Sequence, residues 1–277
     1  MPVIALTQEM GSLAKDVAER VAQIAGLAIM RNEVVDNVAE RMHLPPSLIR
    51  RVREGKAGLV ERFTTDKQQF ALYTEEEVLH QAERGNVILR GWGATRVLHA
   101  VPHVLRVRVT RSFDSRVKWV MDDLETDNRA SAEAEVRRSD NAHAARMHTT
   151  YGVTWGDPLL YDLVINTDRV TVEGAAQTIL SLAAQPEFQE TPQSRAKLAG
   201  LALAAKVRAA LKANASTQHT DVQIDASEGR VVLSGIVVNE KEKVEAERIA
   251  STVAGVGSVD NQLHLMVISR KFTYAKT

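Results

Sequence analysis

The chain contains no cysteine among its 277 residues, which excludes disulfides and thiolate-held metals and leaves the compartment unassigned. It also lacks net charge, since 35 Lys and Arg balance 35 Asp and Glu. No global field draws in nucleic acid or an anionic membrane, so nucleic acid is not an expected partner. No stretch approaches the roughly 18 consecutive apolar residues of a membrane span. The opening "MPVIALTQEMG" has no basic segment and only a short apolar run. It does not read as a signal peptide, and the expectation is a cytoplasmic protein. Histidines are scattered and no carboxylate stands beside them so as to make a transition-metal site convincing, so no protein-held metal is expected. Glycine is short in one telling place. The turn "GSLAK" (Gly11 to Lys15) has a single glycine where a phosphate-binding loop usually carries several.

What remains is an ordinary soluble composition, long enough for one large domain and a small one. Val3 to Leu6 reads as a buried strand, followed by a Gly11-Ser12 turn. Val17, Val21 and Ile24 then recur at helical spacing, with Asp16 in the first turn. From Asn32 to about Gly85 the text is helical and interrupted. Pro45-Pro46 marks one helix start, and Thr74 with Glu77 reads as a capping box opening another. Val87 to Leu89, "HVLRVRVT" and Asp162 to Asn166 read as strands. A long charged helical region is expected from Phe113 to about His148, and "VEGAAQTILSLAA" is one more helix. Strands alternating with helices predict an α/β domain, a parallel sheet flanked by helices.

Residues 185–197, "QPEFQETPQSRAK", break the periodicity and read as a linker. Beyond them come a helix, two alternating strands around a Glu228-Gly229 turn, a second helix and a last strand. This αββαβ order predicts a small α+β domain with an antiparallel sheet packed by two helices.

A strand, a turn and a helix N-terminus form an anion site, because the first helical N–H groups are unpaired and point outward. In the loop after β-like Val3 to Leu6, Leu13 and Ala14 fill positions that are normally bare, and the GxxxxGK[ST] pattern is absent. Taken alone, the stretch is a plain β-turn-α connection. In "EVRRSDNAHAARM", Arg137, Asp140 and His143 are spaced by threes on one helical face. Such a face can lay cations over a transferring phosphoryl group, or it can be a solvated charged surface.

In combination these features resemble the cytidylate kinase-like family of P-loop nucleotide kinases, from Val3 to about Ala184. The stretches that carry the resemblance are "GNVILRGWGA", "LRVRVTRSFDSRVKWVM" and above all "YGVTWGDPLLYDLVINTDRVTVEGAAQTIL". The resemblance implies a nucleotide ligand, with Gly11, Ser12, Lys15, Asp16 and Arg116 holding ATP and Mg²⁺ arriving with it. Lys15, Arg137 and Asp140 would handle the transferred phosphoryl group, and the insertion from about Asn32 to Gly85 would close over the acceptor. Three departures fall where phosphate should sit. The family's Gly-Ser-Gly-Gly-Arg is here Gly11-Ser12-Leu13-Ala14-Lys15, its Gly-Arg-Gly is Gly91-Trp92-Gly93, and its Arg-x-x-Asp-x-x-Arg ends in His143. A histidine that is mostly neutral at pH 7 does not replace a guanidinium. Arg90 and Arg96 flank Trp92 as compensating cations.

Leu198 to about Ile268 resembles a BON domain, with Gly229, Gly235, Val253 to Val256, Val259 and Asn261 at the family's positions. That resemblance implies a binding module for a protein partner, a small ligand or a membrane surface, and brings no catalytic residues. The expected organisation is a kinase-like domain over 1–184, a linker over 185–197, a BON domain over 198–268 and a tail over 269–277. Two readings of function follow: an ATP-dependent kinase acting on a nucleoside monophosphate or similar acceptor, and a catalytically degenerate sensor or scaffold. Self-association into a homo-oligomer is open in both.

Overall fold

The computed structural model describes residues 1–30, 32–53, 67–91 and 93–266. The chain divides into two units, Met1–Leu198 and Ala199 onward.

In the first unit, strands β1 (Val3–Gln8), β2 (Ala28–Met30), β3 (Val87–Arg90), β4 (Val104–Thr110) and β5 (Leu163–Asn166) form one sheet in the order β2-β3-β1-β4-β5. Every pairing is parallel. A parallel sheet needs crossover helices on its faces, which is why β1 and β3 are apolar along nearly their whole length rather than alternating. Helix α1 (Ala14–Ala25) joins β1 to β2, and α8 (Val172–Ala183) follows β5 and packs beside it. Val17, Ala18 and Val21 of α1 share a core with Ile179 of α8 and with Ile4, Leu6, Ile88, Val107 and Val109 of the sheet.

Helices α2 (Asn32–Met42), α3 (Pro46–Arg53) and α4 (Lys67–Arg84) fill the interval between β2 and β3, part of which lies outside the described residues. The expected helix start at Thr74 is overturned. Thr74 is buried inside α4 and its hydroxyl donates to the Phe70 carbonyl one turn back, 2.7 Å away. Glu77 accepts instead from Asn37 Nδ2 and Gln81 Nε2, at 2.7 and 2.6 Å. A threonine satisfied by its own helix has no need of a cap role.

A short helix α5 (Ala94–Val97) follows β3. The charged helical region expected after β4 consists of two helices, α6 (Phe113–Asp123) and α7 (Arg129–Tyr151), packed through Val117, Val120, Ala132 and Val136. Asn128 ends the break, its Oδ1 accepting from the Ser131 amide at 3.1 Å as the cap of α7. The segment read as a linker is ordered. Phe188 packs on the core of the first unit, and α9 (Pro192–Ala213) begins within that segment.

The second unit holds β6 (Val222–Ser227), β7 (Arg230–Val237), α10 (Glu240–Thr252) and β8 (Ser258–Leu265). Glu228 and Gly229 both have positive φ, as a two-residue hairpin turn between β6 and β7 requires. The sheet is mixed, which corrects the antiparallel expectation: β6 and β7 are antiparallel, whereas β7 and β8 are parallel. The reason is the connection, since α10 carries the chain back along the sheet before β8 begins. Leu203, Val207 and Leu211 of α9 and Ala246, Ile249 and Ala250 of α10 close the core over Val231, Leu233 and Leu263. Among the described residues no helix is long and apolar enough to cross a membrane.

Candidate functional site

Open α/β sheets hold ligands beyond the carboxyl ends of their strands. Here a cavity of about 390 Å³ lies beyond the ends of β1 and β3, with walls from α1, α6 and α7. Gln8, Ser12, Lys15, Arg90, His143 and Arg146 are among its lining residues.

The loop from Glu9 to Leu13 forms its floor. The Ser12 amide donates to the Glu9 carbonyl at 3.2 Å, and the Ser12 carbonyl accepts from Thr167 Oγ1, just past β5, at 2.8 Å. Gly11 has φ +76°, and a Cβ there would stand 2.9 Å from the Arg116 carbonyl oxygen, so backbone approach demands glycine. Leu13 has φ 59° and ψ 16°, the left-handed region, which costs a branched residue about 1–2 kcal/mol. It stands where the family carries a glycine. The loop therefore makes a left-handed turn at Leu13 without the residue best suited to it.

Helix α1 begins without a side-chain cap, and Asp16 is the acidic residue of its first turn. Its leading amides have no carbonyl one turn back to bond. Ser12 is only 1% exposed, yet among the described residues its Oγ has no hydrogen-bond partner, and neither has the buried Oε1 of Gln8. A buried hydroxyl left unpaired costs about 1–3 kcal/mol.

Behind the loop lies a buried ionic brace. Glu9 accepts from Arg108 Nη2 at 2.6 Å, Thr110 Oγ1 at 2.7 Å and the Arg111 amide at 3.3 Å, and stands 3.5 Å from Arg116 Nε. Arg116 donates through both terminal nitrogens to Asp140, at 2.9 and 2.8 Å. Burial pulls the Arg116 pKa down, but the hydrogen bonds and charge of Asp140 and the charge of Glu9 outweigh it and leave it raised. The Arg108 guanidinium lies 4.3 Å from the centre of the Trp155 ring and donates to the Trp155 carbonyl at 2.9 Å. Tyr161 donates to that same carbonyl at 2.7 Å. The distinctive "YGVTWGDPLLYDL" stretch is thus a brace for Arg108 and Glu9, and through Glu9 for the loop.

The structure brings Gly11, Ser12, Lys15 and Asp16 to the cavity wall and leaves Arg116, Arg137 and Asp140 off it. The Lys15 side chain is 65% exposed, with Nζ 3.8 Å from Glu19 one turn along the helix. Such a pair is worth at most about 1 kcal/mol and does not fix the ammonium over the loop. Arg137 is exposed, its guanidinium 4.4 Å from the centre of the Phe113 ring. His143 does line the cavity, stacked on Trp155 at 5.2 Å between ring centres. Trp92 lies outside the described residues. No residue of α2, α3 or α4 is among the cavity's described walls. Among the described residues no group of three His, Asp or Glu side chains could hold a metal.

Sequence reasoning missed Glu9, Arg108 and Arg146. For Arg108 a signal was present: Arg106 and Arg108 alternate with valines on β4, so both fall on one face of a buried strand and each needs a carboxylate. Asp162 serves Arg106, accepting at 3.0 and 2.5 Å, as Glu9 serves Arg108.

Residues 201–266 match the BON domain. Over 64 residues the chain is 38% identical to osmotically-inducible protein Y of Escherichia coli strain K12, a match spanning 23% of this chain and only 32% of that protein. The crystal structure of an uncharacterized protein from Eubacterium ventriosum aligns with a TM-score of 0.52 at 20% identity, covering 66% of this chain and 98% of that one. That likeness shows a shared fold. Shikimate kinase from Acinetobacter baumannii, solved with shikimate, aligns at 14% identity and a TM-score of 0.39 over 66% of this chain and 92% of its own. The profile of the cytidylate kinase-like family runs from residue 3 to residue 169, more than half the chain and every wall of the cavity. The chain belongs to the cytidylate kinase-like family.

Proposed function

We propose that the first unit binds a nucleotide, ATP with its Mg²⁺, by seating the phosphates on the loop from Gly11 to Asp16. One observation carries the reading: the buried Ser12 Oγ lacks a partner at the mouth of an uncapped helix that faces the cavity. An orphaned hydroxyl and unpaired amides are complementary to phosphate oxygens. A volume of about 390 Å³ falls in the range of small-ligand sites. Bound ATP would supply an activated phosphoryl group, and Mg²⁺ would arrive with it. Ser12 and the amides up to Asp16 would bind and orient the phosphates. A nucleoside monophosphate or similar compound is the acceptor in this reading, and the cytoplasm is where the nucleotide is met.

For the chemistry itself, a second reading is favoured by where three cations lie. Arg116 is occupied by Asp140 and Glu9, Lys15 leans toward Glu19, and Arg137 packs on Phe113. Phosphoryl transfer depends on cations held over the moving charge. These placements fit a nucleotide-binding sensor or scaffold with slow or no turnover. The BON unit would then hold a protein partner, a small ligand or a membrane surface.

Calorimetric titration of ATP·Mg²⁺ tests the binding reading, with Ser12→Ala as the comparison. We expect the variant to bind about fivefold more weakly, the equivalent of one lost hydrogen bond, and to melt no lower than the parent, since it sheds an unpaired buried hydroxyl. Equal affinity would move the phosphates off this loop, and no binding to the parent would end the nucleotide reading. Incubation with ATP and CMP, followed by product analysis, separates kinase from sensor.

A further inference from the structure

The face of α7 that looks into the cavity shares only His143 with the lid motif. Glu135, Ser139, His143 and Arg146 line the cavity at spacings of four, four and three, a single stripe of a helix. At about 100° per residue, Arg137 lies about 180° round the helix from Arg146. Its guanidinium packs on Phe113, and Asp140 is taken up by Arg116. Both motif residues therefore serve the packing of α7 on α6.

A second guanidinium enters from the opposite element. Arg90 ends β3 in register with Leu6 of β1, is only 7% exposed and lines the same cavity. The resemblance expects arginines at the places of Trp92 and His143; Arg90 flanks the first as a compensating cation, and nothing in the resemblance assigns a role to Arg146. Burial lowers the Arg146 pKa below its ordinary value, with the nearby Tyr151 opposing the shift. A guanidinium shielded from water gains strongly from a charge-assisted contact.

We propose that Arg90 and Arg146 together form the acceptor seat of this cavity, taking the phosphate of a small phosphate monoester. The proposal rests on the cavity being the nucleotide site, with the donor phosphates on the loop. Two planar guanidiniums offer forked donors suited to a dianion, a geometry that the His143 imidazole cannot supply. The cation lost from the lid motif at His143 is in effect supplied about one turn further along α7, by Arg146 on the cavity face. An arriving phosphate shares or displaces the contacts these arginines make within the protein.

The test is calorimetric binding of CMP, cytidine and inorganic phosphate to the full chain, with ATP·Mg²⁺ titrated in parallel. CMP is expected to bind and cytidine not, and Arg146→Ala is expected to weaken CMP about tenfold or more, the scale of a lost charged hydrogen bond. Arg137→Ala should cost less than Arg146→Ala. Phosphate that also binds in an Arg146-dependent way would assign the seat to the phosphate alone, and CMP binding without phosphate binding would add the nucleoside to it; both support the seat. Cytidine binding as well as CMP, or a larger loss from Arg137→Ala, overturns it. Should Arg146→Ala melt early, Arg146→Lys decides: it keeps the charge and loses the fork, so unchanged CMP affinity overturns the proposal. ATP binding that depends on Ser12 alongside Arg146-independent CMP binding sinks the seat alone. Arg146-dependent CMP binding without ATP binding sinks the donor reading and leaves the seat.

Discussion

Leu13 concentrates the history of the loop in one residue. Its backbone takes the conformation that glycine adopts freely, and its side chain reaches the cavity wall. Leu13→Gly should release about 1 kcal/mol of backbone strain and open the approach to the α1 amides. We expect a melting temperature at or above the parent's and tighter ATP·Mg²⁺ binding by calorimetry. Leu13→Ala removes the bulk and keeps the strain, so it separates the two effects. Weaker ATP binding in Leu13→Gly would show that the leucine side chain itself belongs to the site. At this scale the residue types at the loop were readable, and Gly11 was legible as a turn. Its second constraint, the Arg116 backbone pressed against it, was not, because that contact spans more than a hundred residues of chain.

Among elements, the start of α9 is the most instructive. The text "TPQS" lies in the stretch that reads as a linker, yet Pro192 stands at the first helical position, where its missing N–H is no loss. Thr191 and Ser194 cap reciprocally: the Ser194 amide donates to Thr191 Oγ1 at 3.1 Å and the Thr191 amide to Ser194 Oγ at 2.9 Å. That helix start is therefore legible in the sequence, in Thr191 and Ser194 flanking Pro192. Buried His103, in the loop before β4, is hydrogen-bonded through Nδ1 to Ser194 Oγ at 2.8 Å. Desolvation lowers its pKa, with Glu190 opposing and the N-terminal ammonium reinforcing the shift. The folded state thus binds fewer protons than the unfolded chain as pH falls through the unfolded value of about 6.5. Stability present above that pH is lost below it. Urea unfolding of the parent between pH 7.5 and about 5.5 should show this loss, and His103→Gln should flatten it. Equal slopes in the two proteins would assign the effect to other groups.

For the whole molecule, two separate cores mean two separable stabilities. Gly200 of α9 faces β6 so closely that a Cβ would stand 2.3 Å from the Ala226 carbonyl oxygen. Gly200→Ala gains about 1 kcal/mol of helix propensity but forces backbone apart, a strain of about 1–3 kcal/mol or more. In scanning calorimetry the variant should lower the melting of the BON unit and leave that of the kinase-like unit unmoved. A common shift of both would mean that the two unfold together.

The sequence by itself determined the strands, most helices, the two units and the position of the loop, because apolar periodicity and turn residues act within a few residues of chain. It also determined the family, through residues whose structural duty was not visible in it. The tertiary structure decided which face of α7 looks into the cavity, that β8 runs parallel to β7, and that Arg116 is already paired. Those outcomes depend on partners such as Glu9 and Arg108, 99 positions apart. Local spacing places residues on a helix or strand, but only packing rotates that element and chooses its neighbours.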